Sequence, residues 1–150
     1  MPGQTRRDAN TVAMLGQAYS LLGFRIVDGV VGTGFPQKPS HSAVFAQISA
    51  EGSRLTDLAA GAGITPQSMG ALVDELVELG YVERRPDPRD RRAKLIVLTD
   101  LGHQCVAAGM ATIQGIEEDL VEILGERGAR DLRRLLAKIL ATGAAPRPLD

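Results

Sequence analysis

Residues 81–99 constrain the fold of this chain more than any other segment. The two ends of the segment are short runs of apolar and β-branched residues, and two prolines and two aspartates lie between them. Apolar runs separated by turn residues in this way are typical of an antiparallel β-hairpin. The distance between the runs predicts a loop longer than a tight turn.

The charge of this hairpin differs from that of the rest of the chain. Residues 84–94 contain six basic and two acidic side chains, a net charge of +4, whereas the whole chain of 150 residues carries −1 and the remainder therefore −5. A concentrated positive patch on a near-neutral protein favours the binding of a polyanionic partner at one site. A solvated hairpin kept soluble by its charges is the alternative, and it would be preferred if the hairpin stood alone.

The residues before the hairpin have the pattern of a helix-turn-helix. The small residue Ala59 is followed by Gly63 four places on and by the apolar Met69 ten places on. A small side chain lets two crossing helices approach, and glycine permits the positive φ of the turn between them. Thr65 is placed as the N-cap of the second helix, with Pro66 at its first position.

The solvent face of this second helix changes character along its length. Its first turn has the small or polar residues Gln67 and Ser68, and acidic residues follow at Asp74, Glu75 and Glu78. The N-terminal end can enter a major groove, where the helix dipole favours phosphate, but the acids oppose docking along the full length. Gln67 could then read adenine; the alternative is that Gln67 and Ser68 only begin the helix.

Four further helices are predicted around this module. A short helix, His41–Ala50, would follow Ser40 as its N-cap, and a long helix capped by Thr99 or Asp100 would run to about Leu124, where Gly125 breaks it. The remaining predicted helices are residues 11–32 and 126–141.

The two ends of the chain supply apolar helices that the central module does not need, which indicates intertwining with a second copy. A twofold dimer would place its two reading helices about 34–36 Å apart, the spacing of palindromic operators. We therefore expect a mainly α chain with a small β-hairpin (α+β), forming a single domain over residues 1–150. Its predicted parts are a DNA-binding lobe at 40–99 and dimerisation helices at 10–32 and 100–142.

Composition excludes several other classes. The aromatic content of 3% with no Trp argues against base stacking on single strands, so duplex DNA is the expected polyanion. The single cysteine, Cys105, excludes an internal disulfide, and no apolar stretch suits a signal peptide or a membrane span, so we expect a cytoplasmic protein with no membrane partner. With two histidines, His41 and His103, we expect no metal site and no cofactor.

Several motifs together resemble the winged helix-turn-helix of the multiple antibiotic resistance regulator (MarR) family. The resemblance is close over roughly residues 40–103 and most specific from 87 to 102. It implies a homodimeric transcription factor, usually a repressor, whose second helix enters the major groove while the hairpin, or wing, reaches the minor groove. The motifs are Leu55-Thr56-Asp57-Leu58-Ala59, Val73-Asp74-Glu75-Leu76, Gly80-Tyr81-Val82-Glu83-Arg84, Asp87-Pro88-Arg89-Asp90-Arg91-Arg92-Ala93 and Leu98-Thr99-Asp100-Leu101-Gly102.

The resemblance also implies roles for wing residues. Arg92 would contact the minor groove or the backbone, and Asp90 would hold an arginine of the wing in place. Arg89 and Arg91 would contact the DNA backbone, which positions a protein without specifying sequence. A narrow minor groove has enhanced negative potential, which suits an arginine oriented by a carboxylate. The full set of predicted DNA-binding residues is Thr65, Gln67, Ser68, Ala71, Arg84, Arg89, Asp90, Arg91 and Arg92.

Family members are often released from DNA by a small phenolic or other lipophilic anion. Arg25, on an otherwise apolar helix, and His41 are the candidate effector-binding residues; as alternatives, each is a surface or internally satisfied side chain. The identity of an effector, the operator, and repression versus activation are left open.

Two other classes compete with this interpretation. An enzyme is not expected, because no nucleophile with a base and no carboxylate pair occurs at a usable spacing, and the glycines 61 and 63 follow a helix rather than a strand. A winged-helix module for protein–protein interaction without DNA binding is the second alternative, since the acids of residues 74–78 would suit a basic protein.

Overall fold

The computed structural model describes residues 10–143, which form helices around one β-hairpin. This confirms the predicted fold class, mainly helical with a small hairpin. In chain order the elements are α1 (Thr11–Gly32), a 3-10 turn (Pro39–His41), α2 (Ser42–Phe45), α3 (Leu55–Ala62), α4 (Pro66–Glu78), β1 (Val82–Asp87), β2 (Asp90–Leu98) and α5 (Asp100–Ala141).

The predicted turn of the helix-turn-helix and the predicted start of its second helix are confirmed. Gly63 ends α3 with a φ of 67°, in the left-handed region that favours glycine. The Thr65 hydroxyl then accepts the backbone N–H of Ser68 at 3.1 Å and caps α4. Thr99 caps α5 in the same way, accepting the N–H of Gly102 at 3.0 Å. Each cap satisfies one of the N–H groups that a helix start leaves without a partner.

The prediction of a helix over His41–Ala50 is wrong in extent, because α2 ends at Phe45 and Ser40 lies inside the 3-10 turn. The N–H of Ser49 donates to the Ser53 hydroxyl at 3.0 Å instead of continuing the helix. Ser53 in turn pairs with β2 through two backbone hydrogen bonds. Local side-chain bonding by serine thus competes with the helix.

One core lies between α3, α4, the hairpin and the start of α5. The hydroxyl of buried Tyr81 donates to the Pro36 carbonyl at 2.9 Å, which ties the segment after α1 to this core. Cys105 is buried there as a small packing residue, and burial raises the pKa of its thiol. The buried apolar residues of this core are Val30, Val44, Leu58, Ala59, Met69, Val73, Leu76, Tyr81, Val82, Ile96 and Cys105.

The hairpin is longer, and its connection shorter, than predicted. The strands pair from Val82 with Leu98 to Pro86 with Lys94, and after a register shift Asp87 pairs with Asp90, which leaves two residues between the strands. The expectation of a long loop is therefore wrong. The turn is stabilised by Asp87, whose carboxylate accepts the N–H of Arg89 at 2.9 Å.

Asp87 also fixes the hairpin to the helical body. Its carboxylate is 1% exposed and accepts from Nε and Nη2 of Arg54 at 3.0 and 2.7 Å. The Arg89 N–H and the Arg54 guanidinium hold the pKa of Asp87 below its usual range, and the Asp87 partner raises the pKa of Arg54. A buried carboxylate is tolerated when hydrogen bonds and an opposite charge satisfy it.

The C-terminal helix is interrupted as predicted. Gly125 has φ 72° and ψ 161°, so α5 consists of two helical segments that meet at this residue. None of the helices formed by residues 10–143 is both long enough and apolar enough to cross a bilayer.

Replacement of Gly102 by alanine is expected to destabilise the fold by about 2 kcal/mol, since overpacking in a core costs about 1–3 kcal/mol. A Cβ at this position would lie 1.9 Å from the Tyr81 carbonyl oxygen, where backbone would have to move. Gly115→Ala is the matched control on the same helix, because a Cβ there meets nothing within 4 Å. Urea unfolding measures both variants, and equal free energies of unfolding would contradict the expected overpacking.

Replacement of Asp87 by asparagine is expected to lower stability in a pH-dependent way. Because the pKa of Asp87 is lowered by folding, its ionised form stabilises the protein above the unfolded pKa of about 3.9, and this contribution disappears as pH falls through the folded pKa. The difference in unfolding free energy between wild type and variant should be constant above about pH 5 and shrink below about pH 4. Asp28→Asn, at an exposed position of α1, is the control, and a difference for Asp87→Asn that is unchanged at acid pH would refute the prediction.

Candidate nucleic-acid interface

The first turn of α4 presents small and polar side chains to solvent. Gln67, Ser68 and Ala71 are exposed, while the buried Met69 anchors the same turn in the core. Thr65 is half-buried and its hydroxyl is engaged twice, accepting the Ser68 N–H and donating to the Ser68 hydroxyl at 2.9 Å. This end of the helix therefore has a fixed start and an accessible face of small, uncharged side chains.

The wing, residues 82–98, carries arginines of two kinds. Those near its base are paired: Nη2 of Arg84 lies 2.6 Å from Oδ1 of Asp74 in α4, and Arg85 forms an ion pair with Glu83. These two cationic positions thus have their charge balanced inside the chain.

The arginines at the tip of the wing are differently placed. Within residues 10–143 no acidic group lies within 4.0 Å of the Arg91 or Arg92 guanidinium, and both side chains are exposed. Arg89 is 85% exposed, and its Nε lies 3.9 Å from the Asp87 carboxylate. The positive charge available to a polyanion is therefore concentrated at the end of the hairpin.

Asp90 contacts a wing arginine through the backbone of that arginine. The Oδ1 atom of Asp90 accepts the backbone N–H of Arg92 at 3.1 Å, and its Oδ2 atom lies 3.9 Å from the guanidinium of Arg54, which is outside the wing. Asp87 and Arg54 form the close carboxylate–guanidinium pair instead. The sequence marks Asp87 only as a turn residue and does not point to Arg54, because a contact between positions 33 residues apart leaves no local signal.

The two candidate effector residues contact different parts of the molecule. Arg25 of α1 forms an ion pair with Asp119 of α5. His41 is buried; its Nδ1 accepts the N–H of Lys38 at 3.1 Å, so its proton is on Nε2, which donates to Glu75 of α4 at 2.8 Å. The pKa of Glu75 is lowered mainly by its hydrogen bond from Lys38 and secondly by the one from His41. Arg25 and His41 thus have different hydrogen-bonding partners among residues 10–143.

Large apolar side chains remain exposed on α1 and α5. On α1, Val12 is 79% and Tyr19 76% exposed, and on α5 Ile123 is 73% and Leu140 78% exposed. An apolar cavity of about 150 Å³ opens where α1 meets both segments of α5. The residues that line it are Leu22, Glu117, Leu120, Leu124, Ala129, Leu132, Arg133 and Leu136.

Comparison with family models matches residues 38–93 to the MarR family. The matched segment contains the 3-10 turn, α2, α3, α4 and most of the wing, and thus the predicted DNA-binding residues. Comparison with curated proteins gave no significant match.

Comparison with solved structures gives the same architecture over nearly the whole chain. A MarR-family transcriptional regulator from Rhodococcus sp. RHA1 is 25% identical with a TM-score of 0.72, covering 91% of this chain and 96% of its own. The repressor CouR bound to a 23-mer DNA duplex is 27% identical with a TM-score of 0.70, covering 89% and 91%. CouR from Rhodococcus jostii RHA1 bound to p-coumaroyl-CoA is 27% identical with a TM-score of 0.70, covering 91% and 95%.

The family match lies on the helix-turn-helix and wing whose geometry is described above, and the structural likeness extends through the flanking helices. The resemblance inferred from the sequence motifs is thereby confirmed. Residues 38–93 of this chain match the model of the MarR family, and the chain has the fold of MarR-family transcriptional regulators.

Proposed function

We propose that this protein is a ligand-responsive repressor that binds a palindromic operator in double-stranded DNA as a homodimer. The observation that carries the proposal is a pair of exposed arginines, Arg91 and Arg92, at the tip of a wing that Asp87 and Arg54 hold to the body. The similarity to CouR, which has been solved on a DNA duplex, supports it. A chromosomal partner is the reason to propose a cytoplasmic location.

The proposed docking is by the start of α4. Gln67 and Ser68 would contact base edges in the major groove, with Ala71 beside them and Thr65 at the helix start, where amides favour phosphate. The acids that follow on α4 would repel the phosphates if the helix lay along the groove. Arg92 would enter the neighbouring minor groove, with Arg89 and Arg91 on the backbone and Asp90 keeping the backbone N–H of Arg92 in place.

The proposed dimer buries the apolar faces of α1 and α5. Soluble monomers rarely expose contiguous apolar surface on the scale of several neighbouring large side chains. Both helices flank the DNA-binding lobe, so a twofold pairing through them would present two wings to one face of a duplex.

The proposed effector is a small aromatic or lipophilic molecule that binds between the dimerisation helices and the lobe. The likeness to CouR with p-coumaroyl-CoA supports an aromatic acyl compound. His41 links the segment after α1 to Glu75 in the reading helix, and Arg25 links α1 to α5. A ligand that replaced one of these contacts would change the separation or the angle of the two reading helices and release the DNA.

Replacement of Arg92 by alanine is expected to weaken duplex binding by about 1–3 kcal/mol, or roughly 5- to 150-fold. The slope of log affinity against log salt should also fall by about 0.9 for each phosphate that the variant no longer neutralises. Fluorescence anisotropy on duplexes selected from genomic fragments measures both quantities. Arg130→Ala, at an exposed arginine of α5, is the control and should bind like wild type. If wild type binds no duplex at low salt, the protein-interaction alternative replaces this proposal.

Replacement of Ile123 by aspartate is expected to yield a monomer with much weaker operator binding, because a charge would be placed on the proposed apolar contact. Ile123 is 73% exposed in the single chain, so folding of the chain should be little affected. Sedimentation velocity and anisotropy test this, with Thr56→Asp on the exposed face of α3 as the control for the oligomeric state. A variant that remains dimeric would exclude this face as the interface.

A further inference from the structure

One ion pair joins the reading helix directly to the wing. Arg84 lies in β1, opposite Ile96 of β2, and its guanidinium contacts the carboxylate of Asp74 in α4 at 2.6 Å. The Arg84 side chain is 37% exposed, compared with 85% for Arg89 near the tip. Arg84 is thus the wing arginine that the helical body covers and neutralises.

Stability does not account for this contact well. The Asp74 side chain is 66% exposed, and an ion pair between exposed groups contributes little to folding because water and salt screen it. The pair does change the charge that the wing offers to a partner. The Nη2 group that faces Asp74 is one of several donors of the Arg84 guanidinium, but the carboxylate holds that guanidinium against α4 and neutralises its charge. Carboxylate and phosphate therefore compete for the same cation.

We propose that Asp74 sets the sequence-independent part of DNA affinity by withholding Arg84 from the phosphate backbone. The proposal rests on the DNA binding proposed above. Contacts between cations and phosphates supply nearly all non-specific binding, and a regulator must find its operator among a large excess of non-specific sites. An acid that removes one phosphate contact per chain limits retention at those sites, while Arg91, Arg92 and the start of α4 stay available.

The test is binding to a random-sequence duplex long enough for two half-sites, with wild type, Asp74→Ala, Arg84→Ala and the double variant. For each Arg84 that binds a phosphate, Asp74→Ala should bind roughly three- to eight-fold more tightly near 0.1 M salt, and its salt slope should steepen by about 0.9. In the Arg84→Ala background, removal of Asp74 should give none of this increase. Such dependence between two substitutions is the signature of a direct pairwise effect.

Glu78→Ala is the matched control, because it removes one negative charge from the exposed side of the same helix. No ion pair to Glu78 occurs in the part of the chain that the structure describes, so its removal should leave the salt slope unchanged whether or not Arg84 is present. Thermal unfolding of all variants should give closely similar midpoints, since the pair is exposed.

Three outcomes would overturn the proposal. An equal increase in affinity for Asp74→Ala with and without Arg84 would show that Asp74 acts by general repulsion. Weaker binding by Asp74→Ala would show that Asp74 positions Arg84 for DNA. Unchanged binding by Asp74→Ala would show that Asp74 does not withhold Arg84 from the phosphate backbone. The proposed function fails by a different result, the absence of any salt-dependent duplex binding by wild type.

Discussion

The ion pair between the buried carboxylate of Asp87 and the partly exposed Arg54 is the constraint on which the rest of the interface depends. A carboxylate that is 1% exposed is stable only with an opposite charge and hydrogen bonds, and Arg54 together with the Arg89 N–H supplies both. Because Arg54 lies at the start of α3, this contact attaches the wing to the first helix of the helix-turn-helix. The orientation of the wing relative to α4 is therefore already fixed in the unbound protein. This preorganisation lowers the entropic cost of binding a partner.

The distribution of ion pairs decides what the wing can do. Arginines at its base are neutralised by Asp74 and Glu83, whereas Arg91 and Arg92 at the tip have no acid within 4.0 Å among residues 10–143. A hairpin whose charges served only solubility would not need this difference between base and tip. Together with the uncharged first turn of α4, this difference favours contact with a duplex at two places on each chain, the tip of the wing and the start of α4.

Much of this architecture was predictable because its signals are local. Glycine at the turn, threonine at two helix starts and the 3.6-residue apolar period are read within a few residues of the position they determine. Predictions failed where a side chain had a partner elsewhere in the fold or made an unexpected local bond. The helix after His41 ended early because Ser49 bonded to Ser53, and the hairpin turn was tight because Asp87 capped it.

The sequence by itself determined the helix-turn-helix, the presence of a basic hairpin and the surplus of apolar helix surface at both ends, since each depends on residue order and short-range spacing. Only the tertiary structure decided which carboxylate holds which arginine: Asp87 with Arg54, Asp74 with Arg84 and Asp119 with Arg25. These pairs join residues 10 to 94 positions apart. Their choice depends on how the elements pack, because an ion pair forms between groups that folding brings within a few ångströms, and sequence spacing does not encode that distance.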